Sequence, residues 1–331
     1  MISLSAEEAS ELAYNALIAA GAAPQVAHAV SRHAVDSELA GHPSHGLGLI
    51  PMYCAEAGKP GTDLTAEPRV ISSSGPMTTI DAGRGLGHLA MAMAVDTAVA
   101  RAQEFGVGVT AIVQCGHAGR AGAWVERGAA GGCVTMVVLG GSAPPFPMAA
   151  GPGAAPAMQT NPIALGVPAH GHPLMLDMAT SMVAEGKVRV ALARHRMLPA
   201  GSILSPEGVV SNDPADFANG GALLPVGGHK GFGLSALVEA LGVIFTGADA
   251  AGRAPLEGGL VVCLDAQAFR PIDDVMTSVE ALRSRIRSSG ATPGAVLAPG
   301  DPEAERRRVS AGRLEIDEAL ELRLRALSVS R

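Results

Sequence analysis

A histidine among small residues marks the stretch Val113–Gly122, which reads Val-Gln-Cys-Gly-His-Ala-Gly-Arg-Ala-Gly. An apolar run typical of a strand ends just before this histidine. Histidine exchanges protons near neutral pH because its side chain has an ordinary pKa of about 6.5. We therefore hypothesise that His117 transfers a proton in a reaction; a purely structural histidine is the alternative.

A second polar segment, Gly41–Gly46, contains His42, Ser44 and His45 between two apolar segments. These side chains suit metal ligands, a catalytic group or a helix cap. A zinc site would need a further carboxylate or cysteine nearby, so we predict no metal site. Ser44 can cap a helix from His45 to about Ala55, and this structural role is compatible with a functional His45.

The segment Leu223–Gly233 has the composition of an anion-binding loop. Its glycines would let backbone N–H groups approach a phosphate, and Lys230 adds a positive charge next to the start of a predicted helix. The spacing differs from that of a Walker A loop. Phosphate binding and a glycine-rich turn needed only for packing both remain open on local grounds.

The sequence Gly85-x-Gly87-x-x-Ala90 superficially matches the dinucleotide-binding fingerprint of Rossmann folds. The strand that follows, Val107–Val113, ends in Gln114 and Cys115. The acidic residue that holds a ribose hydroxyl in Rossmann enzymes is therefore missing where it is expected. An ordinary Rossmann site is not favoured here.

Apolar periodicity, caps and glycines predict alternating helices and strands around these segments. Helices are expected at Ser5–Ala20, Pro24–Ala40, His88–Phe105, Ala121–Ala130, Val183–His195, Phe232–Ala248, Val275–Ser288 and Glu303–Leu327. Strands are expected at Glu67–Ser73, Met77–Asp81, Val107–Val113, Val134–Leu139, Leu174–Ser181 and Leu260–Asp265. Between residues 140 and 162 five prolines predict a long loop, of the kind that is usually functional or mobile.

Composition limits the classes of protein to consider. The chain has 331 residues, of which 48% are hydrophobic, so it can bury a sizeable core. Its net charge of −7 disfavours a nucleic-acid partner. Phe232–Ala248 carries Glu239 in its middle, which favours a buried amphipathic helix over a membrane span. Four scattered cysteines and an N-terminus without signal-peptide features predict a cytoplasmic protein.

Five motifs occur together in a characteristic order. They are His-Pro-Ser-His-Gly at 42–46, Gly-His-Ala-Gly-Arg-Ala-Gly at 116–122, Thr-Asn-Pro-Ile-Ala at 160–164, Leu-Asp-Met-Ala-Thr-Ser at 176–181 with Gly186-Lys187, and Gly-Gly-His-Lys-Gly-Phe-Gly-Leu at 227–234. In order and spacing they resemble the malate/L-lactate dehydrogenase family, whose fold is not a Rossmann fold. The resemblance covers essentially the whole chain, and it is strongest to the hydroxycarboxylate dehydrogenase branch.

The resemblance implies an α/β protein with a mixed-sheet, L-sulfolactate dehydrogenase-like fold and a non-Rossmann NAD(P)-binding domain. It implies an NAD- or NADP-dependent oxidoreductase that transfers a hydride between nicotinamide and a small 2-hydroxy or 2-oxo carboxylic acid. The alternatives are a reductase of a cyclic imino acid (Δ1-piperideine- or pyrroline-2-carboxylate) and a non-catalytic dinucleotide-binding protein. The family is usually homodimeric.

Discontinuous domains are also implied. We expect residues 1–72 and 253–331 to form a helical domain for dimerisation and substrate binding. Residues 73–122 and 165–252 would form the NAD(P)-binding domain, and residues 123–164 a small inserted segment with the long loop.

The family's functional residues map onto this sequence position by position. His117 matches the acid/base histidine, and Ser44 and His45 match residues of the substrate pocket with a catalytic role. Thr160 and Asn161 are expected near the nicotinamide and substrate. The cofactor contacts map to Ser142, Asp177, Met178, Ala179, Gly228, His229 and Lys230. On local evidence alone, Asp177 is equally well explained as a helix cap.

One position departs from the family pattern. Many members carry an arginine three residues after the glycine of Ser-His-Gly, where it can bind the substrate carboxylate, but this sequence has Leu49. A carboxylate bound without a cation would remain desolvated and unpaired. Arg120, three residues after His117, is the expected replacement, because a guanidinium can hold a carboxylate through two hydrogen bonds.

Overall fold

The computed structural model describes residues 1–59, 61–251, 257–292 and 294–329. The strands of these residues are β1 (Ile2–Ser5), β2 (Arg69–Ser74), β3 (Met77–Asp81), β4 (Val107–Cys115), β5 (Cys133–Gly141), β6 (Met148–Ala149), β7 (Pro156–Met158), β8 (Ile163–Val167), β9 (Leu174–Met178), β10 (Ile203–Leu204), β11 (Val210–Ser211), β12 (Ala222–Leu223), β13 (Glu257–Asp265) and β14 (Arg313–Ile316).

The α-helices of the described residues are α1 (Ala6–Ala19), α2 (Pro24–Leu39), α3 (Ile50–Ala55), α4 (His88–Phe105), α5 (Ala121–Ala130), α6 (Glu185–Ala193), α7 (Pro214–Ala218), α8 (His229–Glu239), α9 (Ile272–Arg287), α10 (Asp301–Ser310) and α11 (Glu318–Ser328). Short 3₁₀ turns cover Pro43–His45 and Leu47–Leu49, and a π-helical turn, Ala240–Ile244, continues α8. The predicted bounds of α4 and α5 are confirmed.

A seven-stranded mixed sheet forms the centre of the molecule, in the order β2-β3-β4-β13-β5-β8-β9. The β3–β4 pair is parallel, and the other neighbouring strands of this sheet are antiparallel. A Rossmann fold would instead place consecutive parallel strands side by side. The mixed-sheet, non-Rossmann prediction is therefore confirmed.

Small side chains let the helices pack closely on this sheet. Helices α4 and α5 contribute alanines and Trp124 to its main hydrophobic core. A Cβ atom at Gly108 of β4 would lie 1.9 Å from the carbonyl oxygen of Ala98 in α4, so only glycine allows this approach. At Gly87 a Cβ would lie 2.7 Å from Cys115 Sγ, so the fingerprint-like glycine serves packing.

The N-terminal helices form a second layer with its own core. Helices α1, α2, α3 and α11 pack together, and β1 pairs with β14 in a two-stranded antiparallel sheet. Ser5 and Glu8 form the capping box that begins α1, at the start of the helix predicted from Ser5 to Ala20. A five-stranded sheet in the order β11-β10-β12-β6-β7 makes a third, smaller unit.

Three predicted elements differ from the structure. The single helix predicted at Glu303–Leu327 is wrong: Ala311 and Gly312 adopt left-handed backbone angles that end α10, and β14 separates it from α11. Ser44 does not cap a helix from His45, because two 3₁₀ turns precede α3. The predicted loop at 140–162 contains the short strands β6 and β7.

The helix predicted at Phe232–Ala248 is only half buried. Leu237, Ile244 and Phe245 are between 60% and 69% exposed along one face of α8 and the following π-helical turn. Within the part of the chain that the structure describes, no helix has both the length and the apolar character that spanning a bilayer requires. The domain boundary predicted between residues 252 and 253 lies outside the described residues.

Candidate active site

A cavity of about 500 Å³ opens where the carboxyl ends of three strands meet. Strands β4 and β5 both run antiparallel to β13 between them, so their carboxyl ends lie at the same edge of the sheet. Strand β9 points the same way, since β8 reverses direction between β5 and β9. Segments after these strands therefore converge, and the loop before α3 completes the wall.

Eight of the predicted site residues line this cavity, although they come from four distant parts of the chain. They are Ser44, His45, His117, Thr160, Asn161, Asp177, Met178 and Ala179. Five others do not line it: Arg120, Ser142, Gly228, His229 and Lys230. Ser142 and the segment 228–230 are exposed, but both are close in sequence to lining residues, Gly141 and Val226.

His117 is held from behind by a hydrogen bond. The hydroxyl of Tyr53 lies 2.6 Å from His117 Nδ1, and the backbone N–H of Gly119 approaches the same nitrogen at 3.3 Å. The imidazole of His45 stacks on that of His117, with ring centroids 5.9 Å apart and an interplanar angle of 17°. His117 is thus oriented while its ring still lines the cavity.

His45 is a neutral partner in this pair. Burial, followed by the neighbouring His117, lowers the pKa of His45 from 6.5 to about 3. The Ser44 hydroxyl lies 3.1 Å from His45 Nδ1, which fixes the ring next to the cavity. At neutral pH His45 can therefore offer hydrogen bonds but no positive charge.

Arg120 is buried and does not line the cavity, so it does not occupy the place expected for a carboxylate-binding group. Its side chain is 1% exposed, and its Nη2 donates to Asp36 at 2.9 Å and to Glu126 at 2.7 Å. Arg307 binds the same two carboxylates. Arg120 begins α5, and these carboxylates on α2 and α5 draw its guanidinium into the protein.

Asp177 makes a hydrogen bond to the first turn of α5 and also lines the cavity. Its Oδ2 accepts a hydrogen bond of 2.7 Å from the backbone N–H of Gly122, in the first turn of α5. Burial raises the pKa of this carboxyl above its ordinary value, although that hydrogen bond and Arg120 oppose the shift. Because Asp177 also lines the cavity, it fixes α5 relative to the cavity wall.

Thr160 and Asn161 shape the wall through their own hydrogen bonds. The Thr160 carbonyl accepts hydrogen bonds from the backbone and hydroxyl of Thr180, both at 2.9 Å. Asn161 has a positive φ of 32°, and its Nδ2 donates at 3.1 Å to both Ser235 and Glu239 of α8. The Asn161 amide nitrogen is thereby committed to positioning α8.

The sequence analysis gave no role to Tyr53, which contacts His117, or to Lys187, which lines the cavity, and it considered His42, which also lines the cavity, only as part of the segment Gly41–Gly46. Lys187 lies in the first turn of α6 and lines the cavity, and it forms no ion pair with another described residue. A Cβ at Gly186 would lie 2.8 Å from Ser44 Cβ, so α6 is pressed against the Ser44 loop. The Gly186-Lys187 pair of the fourth motif was the available signal.

Sequence comparisons place this geometry in a known family. The family profile described as malate/L-lactate dehydrogenase matches residues 4–324. The chain is 36% identical to the (2R)-3-sulfolactate dehydrogenase (NADP(+)) of Chromohalobacter salexigens, over 100% of this chain and 99% of that protein. It is 30% identical to hydroxycarboxylate dehydrogenase B of Escherichia coli, over 87% of this chain and 82% of that protein.

Solved structures agree with these sequence relatives. Δ1-Piperideine-2-carboxylate reductase from Pseudomonas syringae matches with a TM-score of 0.86 and 29% identity, over 99% of this chain and 100% of that one. Sulfolactate dehydrogenase from Methanocaldococcus jannaschii matches with a TM-score of 0.86 and 27% identity, over 98% and 96% of the two chains. The similarity therefore extends over the whole fold.

Proposed function

Because the chain belongs to the malate/L-lactate dehydrogenase family, we propose that it transfers a hydride between NAD or NADP and a small 2-hydroxy or 2-oxo carboxylic acid. The observation that carries this proposal is the meeting of His117, His45 and Ser44 in one cavity whose wall also includes residues 177–179. A proton-transfer group and a binding surface are thus present together.

The cavity fits a nicotinamide cofactor in size and in the chemistry of its wall. About 500 Å³ is within the range of small-molecule sites, and Gly140, Gly141 and Ala179 leave backbone accessible to a planar ring. When bound, the cofactor supplies or accepts the hydride. We assign the part of the cofactor that enters the cavity to Asp177–Ala179. Its phosphates and ribose are assigned to Ser142 and Gly228–Lys230 beside the cavity.

His117 and His45 have different proposed roles at the substrate oxygen. His117 removes the hydroxyl proton in oxidation and returns it in reduction, a role for which imidazole is suited near neutral pH. His45, neutral and fixed by Ser44, offers a hydrogen bond that orients the same oxygen. Stacking against His117 keeps the two rings in a constant relative position.

The substrate carboxylate requires a cation, and Lys187 is the side chain that fits. Leu49 has no charge and Arg120 is engaged with Asp36 and Glu126. Lys187 lies on the cavity wall near Ser44, in the first turn of a helix whose partial positive charge also favours an anion. We therefore assign the carboxylate to Lys187 instead of Arg120.

An activity grid tests the proposal. NADH and NADPH are each combined with pyruvate, oxaloacetate, 3-sulfopyruvate, phenylpyruvate and cyclic imino acids, and absorbance of the reduced nicotinamide is followed. Turnover of a 2-oxo acid is the expected result. Turnover of cyclic imino acids alone would favour the second candidate, since a reductase of these compounds shares the fold. Cofactor binding without turnover would indicate a non-catalytic dinucleotide-binding protein.

We further propose a cytoplasmic homodimer whose chains associate through the exposed face of α8. Leu237, Leu241, Ile244 and Phe245 are exposed apolar side chains at helical spacing there, and exposed apolar surface can mark contacts between proteins. The four cysteines are unpaired and buried, which suits a reducing compartment. The domain division at residues 72, 122 and 164 also remains part of this proposal.

A further inference from the structure

Gln159 is a polar residue of the cavity wall to which the sequence analysis gave no role. It lies between β7 and β8, and its Nε2 donates to the carbonyl of Ala143 at 2.7 Å and to that of Pro145 at 3.0 Å. A side-chain amide nitrogen carries two hydrogens, so these two carbonyls use both of them. Gln159 therefore holds the loop after β5 against the segment that leads into β8.

The two carbonyls also determine which atom of the Gln159 amide remains for a ligand. A carbonyl oxygen can only accept, so the amide atom next to Ala143 and Pro145 has to be the nitrogen. The oxygen, Oε1, is then on the other arm of the amide, and no other described residue donates a hydrogen bond to it. The half-buried Gln159 thus brings an acceptor, and no further donor, to the cavity wall.

The Gln159 side chain lies beside the backbone surface proposed for the nicotinamide ring. A Cβ atom built on Gly141 would be 3.2 Å from Gln159 Cγ, and Gly140, Gly141 and Ala179 belong to that part of the wall. Nicotinamide carries a carboxamide on the edge of its ring, and the NH2 of this group can only donate. A glutamine oxygen is complementary to that NH2, whereas it would stay unpaired against a purely apolar ring.

We propose that Gln159 is a cofactor-binding residue whose Oε1 accepts a hydrogen bond from the carboxamide NH2 of nicotinamide while its Nε2 holds residues 143–145. The inference rests on the dinucleotide site of the proposed function. The contact restricts rotation of the ring about its bond to ribose, and therefore selects which face of the ring's C4 atom meets the substrate.

Cofactor analogues test this contact on the whole protein by calorimetry. In the 3-acetylpyridine analogues of NAD and NADP a methyl group replaces the carboxamide NH2, and the rest of the dinucleotide is unchanged. The wild-type protein should bind NAD or NADP more tightly than the matching analogue. In Gln159→Met, which keeps the length of the side chain, the ratio of the two dissociation constants should fall roughly 3- to 10-fold, the range of one neutral hydrogen bond.

The ratio separates a carboxamide contact from support of the loop. Loss of the hydrogen bonds to Ala143 and Pro145 would weaken binding of both nucleotides equally, so an unchanged ratio in Gln159→Met would overturn the inference. Equal affinities of the wild-type protein for nucleotide and analogue would overturn it without a variant. Gln103→Met, at an exposed glutamine of α4 that also donates to a backbone carbonyl, is the matched control and should keep the wild-type ratio. A wild-type protein that binds neither dinucleotide would instead contradict the proposed function, on which the inference rests.

Discussion

At the scale of single residues, His117 is the side chain on which the proposed chemistry depends. Its replacement by alanine removes the proposed proton-transfer group and leaves the wall at residues 177–179 in place. We expect turnover to fall by about 10²–10⁴. Affinity for NADH or NADPH, measured by nicotinamide fluorescence, should change little. His28→Ala, at an exposed histidine of α2, is the control, and near-normal turnover of His117→Ala would remove His117 from the mechanism.

The role proposed for Lys187 is the converse, because a lysine that binds the substrate anion should affect binding more than turnover. A hydrogen bond to a charged group contributes about 1.5–3 kcal/mol, so Lys187→Met should raise KM for the acid roughly 10- to 100-fold. Arg189→Met, two residues away and paired with Glu185, is the matched control on the same helix. Steady-state kinetics that show an unchanged KM would return the carboxylate to another group.

Residue types and motif order were enough to predict much of the site, but not the direction of every side chain. Ser44, His45 and His117 were singled out from sequence, and the structure brings them to one cavity. Arg120 follows His117 by three residues, yet its side chain turns inward. Its partner Asp36 is 84 positions away, so local sequence patterns could not predict that Asp36 would bind the guanidinium in place of a substrate carboxylate.

At the scale of elements, the ion cluster of Arg120 joins three helices. Asp36 belongs to α2, Glu126 to α5 and Arg307 to α10. Burial tends to raise the pKa of Asp36, but the charges of Arg307 and Arg120 outweigh it and hold the pKa below its ordinary value. The cluster therefore fixes the start of α5, and with it the loop that carries His117.

Arg120→Leu should thus destabilise the protein without a selective loss of substrate binding. Removing one partner of a buried ion cluster costs about 3 kcal/mol, measurable by denaturant unfolding. Asp36 has a lower pKa in the folded protein than in the unfolded chain, where an aspartate has a pKa of about 3.9. Its ion pairs therefore stabilise the fold at pH values above about 4 and lose this effect as the carboxyl becomes protonated. The difference in unfolding free energy between wild type and Arg120→Leu should shrink as the pH falls below about 4. Arg127→Leu removes an exposed pair with Asp96 and should cost less than about 1 kcal/mol. A raised KM with normal stability would restore Arg120 to substrate binding.

Elements defined by local signals were predicted well, and those that depend on distant partners were not. The capping box of Ser5 and the left-handed Gly106 mark the ends of α1 and α4 in the sequence itself. Strand β14 exists because β1, more than 300 residues earlier, supplies its hydrogen bonds. The pattern of apolar residues within Glu303–Leu327 does not indicate that part of this segment pairs with β1. A continuous helix was therefore predicted there.

At the scale of the whole molecule, the exposed face of α8 would link the proposed assembly of two chains to the candidate active site. Ser235 and Glu239 on this helix bind Asn161 of the cavity wall, while Leu237, Leu241 and Ile244 face outward. A partner chain that covers the outward face would also restrain α8 against the wall. Association of two chains and order in the cofactor site should therefore support each other.

The double change Ile244→Glu and Phe245→Glu tests this arrangement. Two carboxylates on a surface that a second chain covers would be desolvated on association, which would weaken the dimer. We therefore expect the molecular mass measured by sedimentation to fall from that of two chains to that of one chain. Affinity for the cofactor should fall as well, because α8 loses its restraint. Val209→Glu, at another exposed apolar residue, is the control and should leave the mass unchanged. A dimer that persists in the double variant would place the interface on a different surface, and an unchanged cofactor affinity in a monomer would show that α8 holds Asn161 without help from a second chain.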